Sequence, residues 1–258
     1  MMTWPDNPDW QMTVLFLLAL ASLGFAMKLV ALLLPTKGKI QRRGISWVLV
    51  SPDSVLRSQT VTSIQPVVLR ILMLSVLLLS SYWVYWQLVR GFQLHGMLLS
   101  YLAVPCLFLM SEFLVAVGTL FFLPGGLLLP ALHRRPWAAR GVADFWGYRW
   151  NLWFSDWFRY CIFSRLRRRP WLALFMVFAI SGLMHEWVTN FTLYHVTGRD
   201  LFGSMMIYFL LQAVGILVER RFLKGYPCLM TVFVWVVVVV PALLVINEGL
   251  LRTLHLWP

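Results

Sequence analysis

The chain has little charge and almost no cysteine. Asp and Glu together number 10, Lys and Arg 22, and charged residues make up 12% of the 258, where an average soluble domain has about 25%. So few charges cannot cover a water-facing surface, which excludes an ordinary soluble enzyme. The cysteines Cys106, Cys161 and Cys228 stand far apart, with no CxxC pattern and no Cys/His cluster. That spacing excludes a disulfide framework and a structural zinc site, and isolated cysteines in apolar stretches are packing residues. There is no HExxH motif, so no metal ligand set is expected. Met1 to Trp10 holds two aspartates and no Lys or Arg. A secretory signal opens on a basic region, so the first apolar run is expected to remain as a span. Internal repeats are absent, and so are the corresponding broken helices of a transporter.

What is abundant is apolar. Hydrophobic residues are 60% of the chain, with 14 Trp and 18 Phe, which fits a protein solvated partly by lipid with aromatic belts at the interfaces. A membrane helix needs about 20 apolar residues, because its backbone must satisfy its own hydrogen bonds. Six candidate spans read as 12–34, 66–87, 97–123, 171–194, 201–219 and 229–247. The third contains Pro105 and is expected to kink or tilt. The β-branched run Val236–Val240 lies inside an apolar stretch long enough that helix is the expectation. The fold class is therefore all-α: one polytopic membrane helical bundle over 1–258, with about six transmembrane helices and interfacial helices in the long cytoplasmic connection.

The net charge of +12 matters for sidedness; no nucleic acid partner is expected. The connections 35–65, 124–170 and 220–228 hold Lys37, Lys39, Arg42, Arg43, Arg57, Arg134, Arg135, Arg140, Arg149, Arg159, Arg165, Arg167, Arg168, Arg169, Arg220, Arg221 and Lys224. The opposite side has Arg90, Arg199 and Arg252. The positive-inside rule places the connections in the cytoplasm and both termini outside. Lys28 and Arg70 lie within spans and are expected to snorkel. The connection 124–170 is rich in Trp, Phe and Tyr, which points to short helices at the membrane interface.

Ionisable groups within spans are costly and are functional candidates by default. His185 lies inside the fourth span, roughly 20 Å from its start at Trp171 by helical rise. Ser181 and Thr189 stand four residues either side of it, on one helical face. The same pattern also suits a packing histidine with a satisfied ring. Glu112 lies mid-span, with a histidine partner or a cavity wall as its two readings. Glu219 reads as interfacial. In the connection, Asp144-Phe145-Trp146-Gly147-Tyr148-Arg149-Trp150-Asn151 precedes a stripe of Asn151, Ser155 and Arg159 at helical spacing. Asp144 reads as an N-cap or as a partner for Arg149, and spacing alone equally fits an amphipathic interfacial helix.

The segment Asp144-Phe145-Trp146-Gly147-Tyr148-Arg149-Trp150-Asn151, followed by Ser181-Gly182-Leu183-Met184-His185-Glu186, resembles the wax-synthase-like branch of the membrane-bound O-acyltransferase superfamily. That branch has a DFW–x–x–RWN-type segment and then an SG–x–xHE-type segment within a membrane helix. Members usually have more spans and longer chains. The resemblance implies an O-acyltransferase using acyl-CoA as donor substrate, with no permanently bound cofactor and a hydroxyl-bearing lipid or small-molecule acceptor. It implies His185 and Asn151 as the catalytic pair, with Trp146, Arg149, Trp150, Ser181 and Thr189 near the substrates. Arg134, Arg135 and Arg140 then face the coenzyme A phosphates, although basic loops at a cytoplasmic face are also the general rule. The expected location is the inner membrane of a bacterium or the endoplasmic reticulum of a eukaryote. The competing reading is a non-catalytic scaffold or transporter on a degenerate acyltransferase fold.

Overall fold

The computed structural model describes residues 7–34, 59–60, 63–125 and 127–258. Of the expected basic residues of the first connection, Lys37, Lys39, Arg42, Arg43 and Arg57 lie outside the described residues. Helix α1 (Pro8–Leu33) opens on a proline, and the Asn7 side chain accepts from Asp9 N at 2.9 Å. A short antiparallel pair joins β1 (Gln59–Thr60) to β2 (Leu127–Leu128); the rest of the described chain is helices and connections. Helices α2 (Gln65–Phe92) and α3 (Met97–Phe122) form a hairpin, and α3 runs on through Pro105.

The long connection is largely helical, as its aromatic density implied. It contains α4 (Val142–Asp144), a π turn at Phe145–Arg149, α5 (Leu152–Phe158) and a second π turn at Arg159–Phe163. Helix α6 (Pro170–His185) continues through a π turn (Glu186–Asn190) into α7 (Phe191–Thr197). Helix α8 (Ser204–Val218) ends in the π turn Glu219–Leu223. Helix α9 (Pro227–Val239) tightens into a 3-10 turn, Val240–Leu244, and α10 (Glu248–Thr253) follows. The valine run is helical because lipid offers its backbone no other partners. Prolines stand in the first turn of α1, α2, α6 and α9, where the missing N–H costs nothing.

Among the described residues, five helices are long and apolar enough to cross a membrane: Pro8–Leu33, Gln65–Phe92, Met97–Phe122, Pro170–Thr197 and Pro227–Leu244. This is a membrane protein. The sixth expected run, 201–219, is helical but shorter: α8 has 15 residues and runs straight into Glu219, Arg220 and Arg221. Short loops fold it antiparallel between α6 and α9. The two ends of the chain meet, for Arg252 Nη1 lies 3.1 Å from Asp9 Oδ1 and Thr13 Oγ1 donates to Thr253 O at 2.8 Å.

Among the described residues, three large cores hold the bundle, and a small one sets Val115 of α3 against Leu129. One gathers Val142 and Phe145 with Phe178, Tyr208, Phe209, Ile216 and Val234. A second sets Met27 and Ala31 of α1 against Trp157, Phe158 and Cys161. Burial pushes the Cys161 thiol up to about 11, so it stays protonated and serves as a packing group. The third joins Tyr85, Leu99 and Cys106 of the hairpin to Leu251 and Leu256.

Candidate active site

His185 ends the regular turns of α6, and its Nδ1 lies 2.7 Å from Ser181 O. A carbonyl oxygen only accepts, so Nδ1 carries the hydrogen of this bond. In the neutral ring Nε2 is then an acceptor. The imidazole packs on Phe209 of α8, with ring centres 4.5 Å apart, and so faces the bundle. Ser181 therefore serves His185 through its backbone, while its side chain is buried. Thr189 falls in the following π turn, where its methyl packs against Gly249 of α10.

Glu186 does different work. Its Oε1 accepts from Met205 N at 3.0 Å and Met206 N at 3.1 Å, and its Oε2 accepts from Asn190 Nδ2 at 2.7 Å. Asn247 Nδ2 donates to Asn190 Oδ1 at 2.8 Å. The carboxylate caps the N-terminus of α8, where the free N–H groups and the helix dipole favour an anion. It thereby locks the helix carrying Phe209 against the helix carrying His185.

Phe209 leads to Trp146, whose rings are 5.7 Å apart, and Trp146 also meets Phe178 edge-on. The Trp146 indole donates to Gln212 Oε1 at 3.1 Å, and Gln212 Nε2 donates to Val237 O at 2.8 Å. Gln212 is completely buried, so this relay fixes the DFW segment to α8 and α9 together. Phe145 stacks on Trp150 at 5.7 Å. An aromatic wall thus runs from His185 to the residue preceding Asn151.

Asn151 caps α5 in the left-handed region (φ 42°), its Oδ1 accepting from Phe154 N at 3.4 Å. Asparagine tolerates that conformation because its short side chain bonds locally. The stripe beyond it has a use. Ser155 Oγ and Arg159 Nη2 both donate to Gly147 O, at 3.0 and 2.9 Å, and so grip the preceding π turn. Of the two readings for Asp144, the partnership with Arg149 holds, with Nε 2.6 Å from Oδ2.

Arg134, Arg135, Asp144, Tyr148 and Arg149 line a cavity of 540 Å³. Arg140 meets this group through its backbone N–H, which donates to Asp144 Oδ2 at 3.0 Å. His185 does not line it. The structure therefore gathers the expected residues into two groups: His185 and Ser181 with Trp146 through Phe209, and Arg134, Arg135 and Arg149 beside Trp150 and Asn151.

Three charged residues find partners far along the chain. Arg70 Nη2 pairs with Glu112 Oε2 at 2.6 Å, because a mid-span carboxylate needs a counter-charge. Glu112 takes the histidine reading, and the partner is His133, whose Nδ1 lies 3.0 Å from Glu112 Oε1. Glu219, at the end of α8, is 5% exposed and accepts from Val142 N. His133 escaped the sequence reading because it lies in a connection; the lone carboxylate at Glu112 was the signal that a partner existed.

Residues 129–212 match the model of the membrane bound O-acyl transferase family. Over 115 residues the chain is 29% identical to a probable long-chain-alcohol O-fatty-acyltransferase 7 of Arabidopsis thaliana, covering 39% of this chain and 32% of that one. Over 108 residues it is 31% identical to a long-chain-alcohol O-fatty-acyltransferase of Simmondsia chinensis, covering 37% and 30%. The chain thus spans about a third of the length of these curated relatives. No solved structure matches it. Both segments that carry the resemblance lie within 129–212, and over that stretch the chain is like the wax-synthase-like branch of the membrane-bound O-acyltransferases.

Proposed function

We propose that this chain is a single membrane-embedded O-acyltransferase domain that moves an acyl group from acyl-CoA to the hydroxyl of a lipid-like acceptor, as a wax ester synthase does. The observation that carries the reading is the fixed ring of His185: Nδ1 is committed to Ser181 O, which leaves Nε2 to take a proton. In the step, the acceptor hydroxyl oxygen attacks the thioester carbonyl carbon and His185 Nε2 takes its proton. The carbon–sulfur bond then breaks, and the proton passes to the departing thiolate, giving an ester and free coenzyme A. A base of this kind contributes about 10²–10⁴ in rate. Asn151 orients the acceptor or donates to the reacting carbonyl, where developing charge is stabilised. Trp146 and Trp150 form an apolar wall that keeps water from the thioester, and Ser181 and Thr189 flank the base.

Arg134, Arg135 and Arg149 around the 540 Å³ cavity, with Arg140 adjoining, suit the phosphates of coenzyme A, since guanidinium groups bind phosphate oxygens in pairs. The donor is water-soluble and cytoplasmic, so this reading sets the 124–170 connection in the cytoplasm and both termini outside, as the positive-inside rule does.

The test is lipid mass spectrometry of cells expressing wild type or His185→Ala, with both proteins quantified in the membrane fraction. Wild-type cells should accumulate an ester that the variant lacks. Equal ester in both would overturn the assignment of the base.

A further inference from the structure

Glu112 sits in α3, ten residues from its end, where a carboxylate is expensive unless it is paired. It is paired twice: Oε2 with Arg70 of α2 at 2.6 Å and Oε1 with His133 at 3.0 Å. Arg70 balances the charge of Glu112 within the hairpin. The second oxygen is spent on a residue of the connection. The His133 side chain is 3% exposed, and its ring lies 4.3 Å from that of Trp150 at an interplanar angle of 53°.

The backbone around His133 is tied to the same place. Leu152 N donates to Leu132 O and Arg134 N donates to Arg149 O, each at 2.8 Å. These two bonds bracket Trp150 and Asn151, and the His133 ring bears on the indole between them. Asn151 holds a left-handed backbone, a conformation that persists in a non-glycine residue when its surroundings enforce it. Other ties between hairpin and connection include the aromatic contacts of Phe108 with His133 and Trp137, at 5.2 and 6.1 Å. These are apolar and non-directional, whereas the Glu112–His133 bond has a direction and fixes the imidazole's rotation.

We propose that His133, held by Glu112 and Arg70, is a positioning residue that sets the Trp150–Asn151 turn for acyl transfer from the hairpin side. This rests on the reading of Asn151 given under the proposed function. A shift of about 1 Å in such a group is enough to cost about 10²-fold in rate. The hairpin thus contributes a polar brace to the site without supplying a group that touches substrate.

The decisive variant is His133→Phe, which keeps a ring against Trp150 and removes the bond to Glu112. Glu112→Gln is the second variant, removing the charge while keeping the side-chain size. In purified protein, His133→Phe should lower kcat about 10-fold and leave KM for donor and acceptor within about twofold, the signature of a loss felt at the transition state. Introduced into Asn151→Ala, the same change should lower kcat by less than about twofold, because the two residues act as one unit. Hydrogen exchange followed by mass spectrometry gives a readout that needs no activity. The amides of Arg134 and Leu152 should exchange faster in both variants, while those of α6 and α8 stay at wild-type rates. Equal fold losses in the wild-type and Asn151→Ala backgrounds, or unchanged exchange at Arg134 and Leu152, would overturn the proposal. A wild-type protein that transfers acyl groups to no alcohol in a broad panel would instead bring down the acyltransferase reading, and exchange alone would then decide whether His133 braces the turn.

Discussion

The hairpin α2–α3 and the group α6–α8–α9 share one bilayer and are built on different terms. In α2 the buried residues are Val67, Leu74, Tyr85 and Val89, while Leu69, Leu72, Val76, Leu79 and Trp83 are exposed. Half of the apolar stretch of α6–α7 is buried, against 11% in α2 and 22% in α3. The least apolar of the long helices is thus the one most enclosed. Ser181, Glu186, Thr189, Asn190 and Thr192 are all buried there, and each would be costly against lipid. Lipid tails are as apolar as leucine, so the hydrophobic effect does not drive helices together within the membrane; close packing and hydrogen bonds do. The α6–α8–α9 group uses both. The hairpin meets the rest of the protein through Arg70, Glu112 and the core around Tyr85, Leu99 and Cys106, and gives more of its surface to lipid.

The strongest way to break this contrast is to remove the carboxylate at the centre of the enclosed group. Glu186→Ala leaves Met205 N, Met206 N and Asn190 Nδ2 without their shared acceptor. Bonds to charged groups and stranded buried donors each count for about 1–3 kcal/mol, so a loss of about 3–5 kcal/mol is expected. The measurement is the thermal midpoint of detergent-solubilised protein, which should fall by about 10 °C or more for a chain of this size. Glu186→Gln retains one acceptor oxygen and should fall less. A midpoint unchanged by Glu186→Ala would mean that polar locking does not hold α6 to α8.

Packing is the second means, and Gly182 tests it. A Cβ built there stands 2.9 Å from Met206 Cα and 3.0 Å from Met206 Sδ. The first of these is backbone, so relief requires α6 and α8 to move apart. Gly182→Ala should cost about 1–3 kcal/mol, as overpacking does, against a helix-propensity gain of up to about 1 kcal/mol. The shift should appear in the same thermal measurement, with a loss of transfer activity because Phe209 moves relative to His185. A stabilised Gly182→Ala protein would show that the two helices have room to spare.

How far these differences could be read in the sequence follows from their physics. Lipid forces each spanning backbone into a helix, so the apolar runs located α1, α2, α3, α6 and α9 by composition alone. Adjacent partners were equally visible, as with Asp144 and Arg149. The helix interruptions at Phe145–Arg149 and Glu186–Asn190 were not, because they answer to contacts made by other segments: Ser155 and Arg159 on the Gly147 carbonyl, and the α8 terminus on Glu186. The pairing of Arg70 gave no sign because its partner lies 42 residues away. The partner of Glu219, Val142 N, gave no sign because it lies 77 residues away. The two segments carrying His185 and Asn151 stood out, yet the aromatic wall between them depends on Phe209 and Gln212, whose ordinary apolar-helix setting gives no local sign.

The smallest expected effect sharpens the comparison from the hairpin side. Gly91 lies in the last turn of α2, is exposed, and would present a Cβ to nothing within 4 Å. Its substitution therefore isolates backbone propensity from packing. Glycine in a helix interior is disfavoured by up to about 1 kcal/mol relative to alanine, and in a terminal turn, where helices fray, the difference shrinks. Gly91→Ala should be neutral or stabilise by no more than about 0.5 kcal/mol, with transfer activity at the wild-type level. The pair Gly182→Ala and Gly91→Ala then makes the same chemical change in an enclosed helix and in a lipid-leaning one, with opposite signs expected. If Gly91→Ala destabilised as much as Gly182→Ala, the surface of α2 around Gly91 would have to be packed against protein in the membrane. The hairpin would then be an enclosed element like α6, and the contrast between the two regions would fail.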